Sequence, residues 1–412
     1  MDVVNRKMKI LFITGLYLPE LEKEIIEEGK EKYLQVAANN LQWALVKGLC
    51  ENNVTSEVIS CPFLPCWLHG YNHLFTPSIF YQYSPHVAIE SLKYCTCLGI
   101  KNFFIGNSIE QYTERWIKKN GHDSLYIIVY HTIGYVMKAI ANIKKKYPQV
   151  RTAVIIADLF YSNPYKIKEP IKRFLYDLDL KKIKYNYKYF DRFILLSKEM
   201  STQISQAQEN YLVIEGIWNS TIYPKKPSPS EWQGYFCLLY TGTLERFSGI
   251  IEFCKAFMLT DNKKLRLFIY GSGSCINEIL EMQRIDNRIK YCGRASHDDI
   301  LTLQMAADLL VNPRQPVYEL TKYSFPSKTI EYMASGTPMV GFKLPGIPDQ
   351  YYDYMFVWHQ NTLGYMAKKI QTISEMPHTC LEQMGAKAQK FIQKEKNPKA
   401  QVQKIISYLS EE

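Results

Sequence analysis

No CxxC pair occurs among the ten cysteines: four residues separate Cys61 from Cys66, and one separates Cys95 from Cys97. That absence excludes the usual zinc-ribbon and dithiol spacings, and the scattered thiols read as reduced cysteines of a cytoplasmic protein. No apolar stretch reaches the roughly 18 residues that a bilayer-spanning helix needs. The amino terminus, MDVVNRKMKILFITGLYLPE, has a positive flank and a short apolar run, but it holds Thr14 and Gly15 and leads into LPELEKE with no small-residue cleavage site. It reads instead as a first buried strand, Ile10 to Thr14, with Met8 as an alternative start. Low-complexity tracts and internal repeats are missing too.

What is present is enough apolar residue for two cores. At 412 residues and 47 % hydrophobic content, the chain accommodates two domains of roughly 100 to 200 residues each. The formal net charge of +10 permits an anionic partner, whether nucleotide, nucleic acid or membrane surface, and does not choose among them. Short β-branched and aromatic runs (KILFITG, SLYIIVYH, RTAVIIADL, DRFILLS, YLVIEG) alternate with segments of helical period. YFCLLYTGT, LRLFIYGSG, IKYCG, ADLLVNP and PMVGF repeat the plan. Such alternation predicts an α/β architecture of parallel strands covered by helices. Between the halves, Ile222 to Gly234 is rich in Pro and Ser and has no apolar period, as a linker would be. We therefore expect two doubly wound, Rossmann-like domains, residues 1–222 and 223–396, facing each other across a cleft. A helix in 397–412 would return to the first domain.

The stretch KYSFPSKTIEYMASGTP, Lys322 to Pro338, carries the densest local specification. Pro326 holds Phe325 extended and suits a first helical turn, and Ser324 or Ser327 can cap the helix. Lys328 to Ala334 then reads as helix, stopped by Gly336 and Pro338. Its amino end is a natural seat for a phosphate. Glu331, about one turn further in, can accept hydrogen bonds from vicinal hydroxyls such as those of a ribose. An isolated glutamate in a helix is otherwise a solvated side chain.

With its flanks NPR…EL and MV, and with YTGTLERFSGI and LFIYGSG before it, this stretch resembles the carboxyl-terminal domain of the family 4 retaining glycosyltransferases of GT-B fold. KILFIT, QVAANNLQWALVKGL and YLVIEGIWN extend the resemblance over nearly the whole chain, closest to bacterial enzymes of capsular and exopolysaccharide assembly. In that family two acidic residues separated by seven others flank the helix start, the second on the ribose and the first on the donor sugar. Glu331 matches the second position, whereas the first is Tyr323. Glu319, four residues upstream, is the alternative carboxylate. Two basic side chains of the family's diphosphate loop are replaced by Thr243 and Ser248, leaving Arg246, Arg314 and Lys322 as candidate cations for the charge that develops on the leaving group. Gly242, Gly271 and Gly273 would bring backbone close to the nucleotide, with Gly293 near the base. Ile276 stands where a dinucleotide fingerprint has its third glycine, so no dinucleotide cofactor is expected.

In the first half, His131 ends a predicted strand where open sheets bind ligands, and the resemblance implies contact with the donor sugar near the reacting carbon. Asp158 ends the next strand, either to orient an acceptor hydroxyl or to cap the following turn. Gly15 and Gly29 match loop positions where the family lets backbone approach the diphosphate. Asp177 and Asp179 in DLDL mimic a metal-holding pair, but they fall inside a charged aromatic run rather than after a strand, so no metal is expected. That run, with Lys172, Arg173, Lys181, Lys182 and Lys184 beside Phe174 and Tyr176, is either a solvated helix or a surface for anionic lipid. No nucleic-acid motif accompanies it.

The resemblance thus implies a metal-independent, retaining transfer of a sugar from a nucleoside diphosphate donor, UDP-linked by expectation, to a lipid-linked or saccharide acceptor. It places the protein in the cytoplasm or at the inner face of the plasma membrane. A non-catalytic GT-B scaffold, suggested by Tyr323, Thr243 and Ser248, and a nucleotide-sugar epimerase are the alternatives.

Overall fold

The computed structural model describes residues 8–28, 30, 34–121, 123–159, 169–219 and 229–411. Two compact units divide the chain, Met1–Asn219 with Asn397–Glu412, and Ser220–Lys396. Most of the linker expected at Ile222 to Gly234 lies outside the described residues, as does Gly29.

The first unit runs β1 (Met8–Thr14), α1 (Pro19–Glu27), α2 (Val36–Glu51), β2 (Thr55–Ser60), β3 (Ile79–Ser84), β4 (Val87–Ser91), α3 (Lys101–Asn120), β5 (Ser124–Tyr130), α4 (Gly134–Lys146), β6 (Arg151–Ile156), α5 (Pro170–Asn186), β7 (Arg192–Leu195) and β8 (Tyr211–Val213). Its strands form one sheet in the order β3-β4-β2-β1-β5-β6-β7-β8, parallel except for the edge strand β3, which runs antiparallel to β4. Ile10, Leu11, Phe12 and Ile13 are all at most 2 % exposed, which requires cover on both faces of the sheet and explains why β1 is continuously apolar rather than alternating.

The second unit runs β9 (Phe236–Thr243), α6 (Ile250–Met258), β10 (Leu265–Ser272), α7 (Ile276–Ile285), β11 (Ile289–Tyr291), α8 (His297–Ala306), β12 (Leu309–Asn312), α9 (Ser327–Ser335), β13 (Met339–Phe342), β14 (Phe356–Trp358), α10 (Leu363–Ser374) and α11 (His378–Glu395). The sheet order is β11-β10-β9-β12-β13-β14, parallel in every pairing. In both sheets the winding direction reverses beside the first strand of the unit, between β1 and β5 and between β9 and β12. Loops leaving the carboxyl ends of those strands diverge there and open a crevice for ligand.

The last helix, α12 (Pro398–Ser410), belongs to the first unit. Asn397 caps it by accepting from the Ala400 amide at 2.9 Å, and Pro398 suits its first turn. Gly48 of α2 allows close approach, since a Cβ there would lie 2.3 Å from Val402. Val402, Ile405 and Leu409 enter the core cluster that holds Phe12, Leu45 and Ile128, each stabilising by roughly 1.5–3 kcal/mol through burial.

Candidate functional site

The second unit's switch point is built from the loops after β9 and β12. Gly249, with φ +74°, closes the first loop against the second, for a Cβ at that position would lie 1.9 Å from the Pro313 carbonyl oxygen. Tyr318 from the second loop donates to the Arg246 carbonyl in the first at 3.4 Å. On the other side, Gly271 lies beside Gly242 in the β9–β10 register; its φ is +146° and a Cβ would fall 1.8 Å from the Gly242 carbonyl oxygen. Gly273 is equally tight, with a Cβ reaching the Leu244 oxygen at 2.3 Å. Backbone surfaces therefore meet where side chains would hold them apart. Gly293, at φ +77° with open space around its Cα, accepts from the Gly271 amide at 2.8 Å.

Helix α9 starts at the end of the β12 loop. Its cap position falls on Pro326, which has no side-chain acceptor, so the expected serine cap is not formed. Ser324 Oγ instead accepts from Arg314 Nη2 at 3.0 Å, and Ser327 is an exposed residue of the first turn. Phe325 does not face a ligand: its ring is 8 % exposed and packs on Tyr351 at 5.3 Å between centroids. Lys322 and Glu319 are exposed, and Tyr323 is half-buried.

Glu331 lies on the second turn of α9. Its Oε1 accepts from Gln304 Nε2 at 2.5 Å and from Lys328 Nζ at 2.8 Å. Its Oε2 takes no bond from the described residues and is not buried. The carboxylate is thus fixed from one side, with a second oxygen left open. Gln304, on α8, carries no sequence signal that would have marked it.

The cations are less converged than expected. Arg246, in the short turn after β9, pairs through Nη2 with Glu278 Oε2 in the first turn of α7 at 2.9 Å. Ser248 is 7 % exposed and donates to the Glu245 carbonyl at 2.6 Å, so it stabilises the loop rather than facing a ligand. Thr243 is exposed, and its carbonyl accepts from Tyr240. Glu245 ties the loop to the start of α7 by accepting from the Ser274 amide at 3.1 Å and from its hydroxyl at 2.5 Å.

In the first unit, Gly15 and His131 follow β1 and β5 directly and so flank that sheet's switch point. The Gly15 amide is already engaged, donating to Gln42 Oε1 at 2.8 Å, and a Cβ there would strike the Phe63 ring at 2.2 Å. It is a packing glycine and offers no amide to a diphosphate. His131 has φ +70°, a left-handed conformation rare outside glycine. Its Nδ1 is buried without a hydrogen-bond partner among the described residues. Burial pushes the imidazole down to about 4, so it is neutral across the physiological range. Asp158 is exposed just beyond β6, and its charge adds to the burial that raises the Tyr130 phenol. Asp177 and Asp179 lie in the middle of α5, and Asp179 packs on Gly134, where a Cβ would meet Oδ1 at 2.2 Å.

Residues 236–375 match the family pattern described as "Glycosyl transferases group 1". No curated protein sequence matches the chain. Solved structures match it over nearly its whole length: sucrose-phosphate synthase from Thermosynechococcus elongatus, 15 % identical, covers 98 % of both chains at a TM-score of 0.58. HepE of Anabaena in complex with UDP is 14 % identical and covers 98 % of this chain and 100 % of its own at 0.60. A trehalose-6-phosphate protein from E. coli bound with UDP-2-fluoro glucose is 9 % identical and covers 97 % and 98 % at 0.63. The fold is GT-B. At these identities the likeness is one of architecture, and the match to the group 1 glycosyltransferase pattern lies wholly within the second unit of this GT-B chain. Among the described residues no helix is long and apolar enough to cross a membrane.

Proposed function

We propose that this GT-B protein is a retaining, metal-independent glycosyltransferase that moves a sugar from a UDP-linked donor to a hydroxyl of a lipid-linked or saccharide acceptor in cell-surface polysaccharide assembly. The observation that carries the reading is Glu331: a half-buried carboxylate on the helix that begins at the switch point, held on Oε1 and open on Oε2. A ribose diol donates to such an oxygen, and the amides at the start of α9 lie one turn away for a phosphate. HepE structures in complex with UDP-glucose, and with UDP and glucose, support a nucleotide-sugar donor.

The reaction forms a bond from the acceptor oxygen to the anomeric carbon as the bond from that carbon to the diphosphate oxygen breaks. The acceptor proton passes to the departing phosphate oxygen, so no dedicated base is needed. Arg246, Arg314 and Lys322 are the cations for the developing charge, and Arg246, itself exposed, must exchange its half-buried partner Glu278, a pair near the surface worth about 0–1 kcal/mol. Neutral His131 can donate or accept a hydrogen bond at the sugar, Glu319 supplies the carboxylate that Tyr323 does not, and Asp158 orients the acceptor. On α5, Phe174 is 63 % exposed beside exposed Lys172, Arg173, Lys181 and Lys182, which supports delivery of the acceptor at an anionic membrane face.

Calorimetry with UDP and GDP, followed by donor hydrolysis across a panel of their sugars, tests the reading in wild type and Glu331→Ala. The expected result is selective UDP binding, weakened at least about 10-fold by Glu331→Ala, and slow hydrolysis of one donor. Failure of every nucleotide to bind would overturn it. Binding without turnover of any donor would favour the non-catalytic reading, to which the replacement of two family cations by Thr243 and buried Ser248 gives weight.

A further inference from the structure

We propose that Gln304 is a positioning residue for nucleotide recognition: its side-chain amide sets the Glu331 carboxylate so that Oε2 alone is presented to the ribose hydroxyls. The inference rests on the donor-site reading above and adds to it a residue on a helix that does not otherwise belong to the site.

Gln304 is 0 % exposed. Its Nε2 donates to Glu331 Oε1 at 2.5 Å and to Thr241 Oγ1 of β9 at 3.0 Å, so both amide protons are committed. The direction of every bond follows from the chemistry of the partners. An ionised carboxylate only accepts, so the amide nitrogen must face Glu331. Thr241 Oγ1 accepts from Gln304 and donates its own proton toward Tyr332 Oη, 3.2 Å away. The Tyr332 hydroxyl in turn donates to the Thr241 carbonyl at 3.0 Å and accepts from the Thr241 amide at 2.9 Å. The chain leaves no rotational choice, and Glu331 is tied through Gln304 to the central strand of the sheet.

The arrangement leaves a defect that packing alone does not explain. Gln304 Oε1 is buried without a partner among the described residues, an unfavourable state for an amide, and a methionine of similar volume would avoid it. What the amide supplies is the orientation of its neighbour. With Oε1 of Glu331 taken by Gln304 and Lys328, both lone pairs of Oε2 remain for hydroxyl donors. Without Gln304 only Lys328, on a long and partly exposed side chain that can follow either oxygen, holds the carboxylate, which can then turn about its last torsion and present either edge.

The test compares UDP with 2′,3′-dideoxy-UDP by calorimetry on the full chain, in wild type, Gln304→Met and Glu331→Ala. The ratio of the two affinities reads recognition of the diol and cancels effects on the phosphate and base. Wild type should prefer UDP by at least about 10-fold, as expected for a charge-assisted hydrogen bond, and Glu331→Ala should abolish the preference. Gln304→Met should bring the ratio to within about 3-fold of Glu331→Ala while leaving the dideoxy affinity unchanged. Equal weakening of both ligands by Gln304→Met, with the ratio kept, would mark Gln304 as structural only and overturn the proposal. Loss of the preference in neither variant, or its absence in wild type, would instead refute the ribose role of Glu331. Should Gln304→Met fail to fold, Gln304→Asn, which retains an amide one methylene too short to bridge Thr241 and Glu331, gives the same comparison.

Discussion

Removing one hydroxyl, Tyr332→Phe, should damage the second unit far more than a surface deletion of the same size. β9 pairs with β12 only at Leu238 and Leu239, so the edge of β9 facing β12 has no strand partner at Thr241. The Tyr332 hydroxyl takes that place, satisfying both the amide and the carbonyl of Thr241 from helix α9. Tyr332 is 1 % exposed and Thr241 2 % exposed, so water cannot replace the lost partner. Each orphaned backbone group costs about 1–3 kcal/mol, and relief of the phenol's own burial offsets part of that. The expected loss is about 2–4 kcal/mol. Native-state hydrogen exchange under graded urea, read on amides of β9, reports it as a fall in opening free energy and as early exchange at Thr241. A change below about 0.5 kcal/mol would show that the strand edge is satisfied in some other way and refute the reasoning.

Three further outcomes follow from the same geometry. The unfolded chain binds a proton at His131 near pH 6.5, whereas the folded one does so only at about 4; the associated stability is full above pH 6.5, falls as pH drops toward 4, and amounts to at most about 3 kcal/mol. His131→Asn, which tolerates the left-handed backbone, should flatten urea midpoints between pH 7 and 4.5, and an unchanged slope would contradict the burial argument. Gly271→Ala should abolish soluble protein or lower the melting temperature sharply, since its Cβ would sit 1.8 Å from the Gly242 oxygen; a variant that melts like wild type would show that β9 and β10 can separate freely. Arg246→Ala should change stability by less than about 1 kcal/mol, as a pair in which the arginine is exposed to solvent predicts, while lowering donor turnover at least about 10-fold; unaltered turnover would remove Arg246 from the chemistry.

Much of the fold was legible because parallel strands buried on both faces leave unbroken apolar runs, as in KILFIT and LRLFIY. The strands that were missed had no such signature. β2, TSEVIS, and β4, VAIES, mix polar residues into their runs, β3 is an edge strand with exposed Phe80 and Tyr81, and β14 is three residues long. The helix that carries Glu331 was legible because proline, serine and glycine punctuate it so heavily. Gln304 was not, for an amide in a helix looks the same in sequence whether it faces water or a neighbouring carboxylate. The fate of Gly15 was equally hidden: nothing in the loop itself announces that Gln42, 27 residues later, claims its amide.

The position of α12 has a consequence for synthesis. Residues 397–411 complete the core of the unit that begins at β1, and all of the second unit is made between them. On the ribosome, the region made first must wait with Phe12, Leu45 and Ile128 short of their last partners until Val402, Ile405 and Leu409 emerge, while the second unit already has every residue it needs. Vectorial folding would then run opposite to the order of translation, with the later unit maturing first and the earlier one exposed in the interval to chaperones and to aggregation.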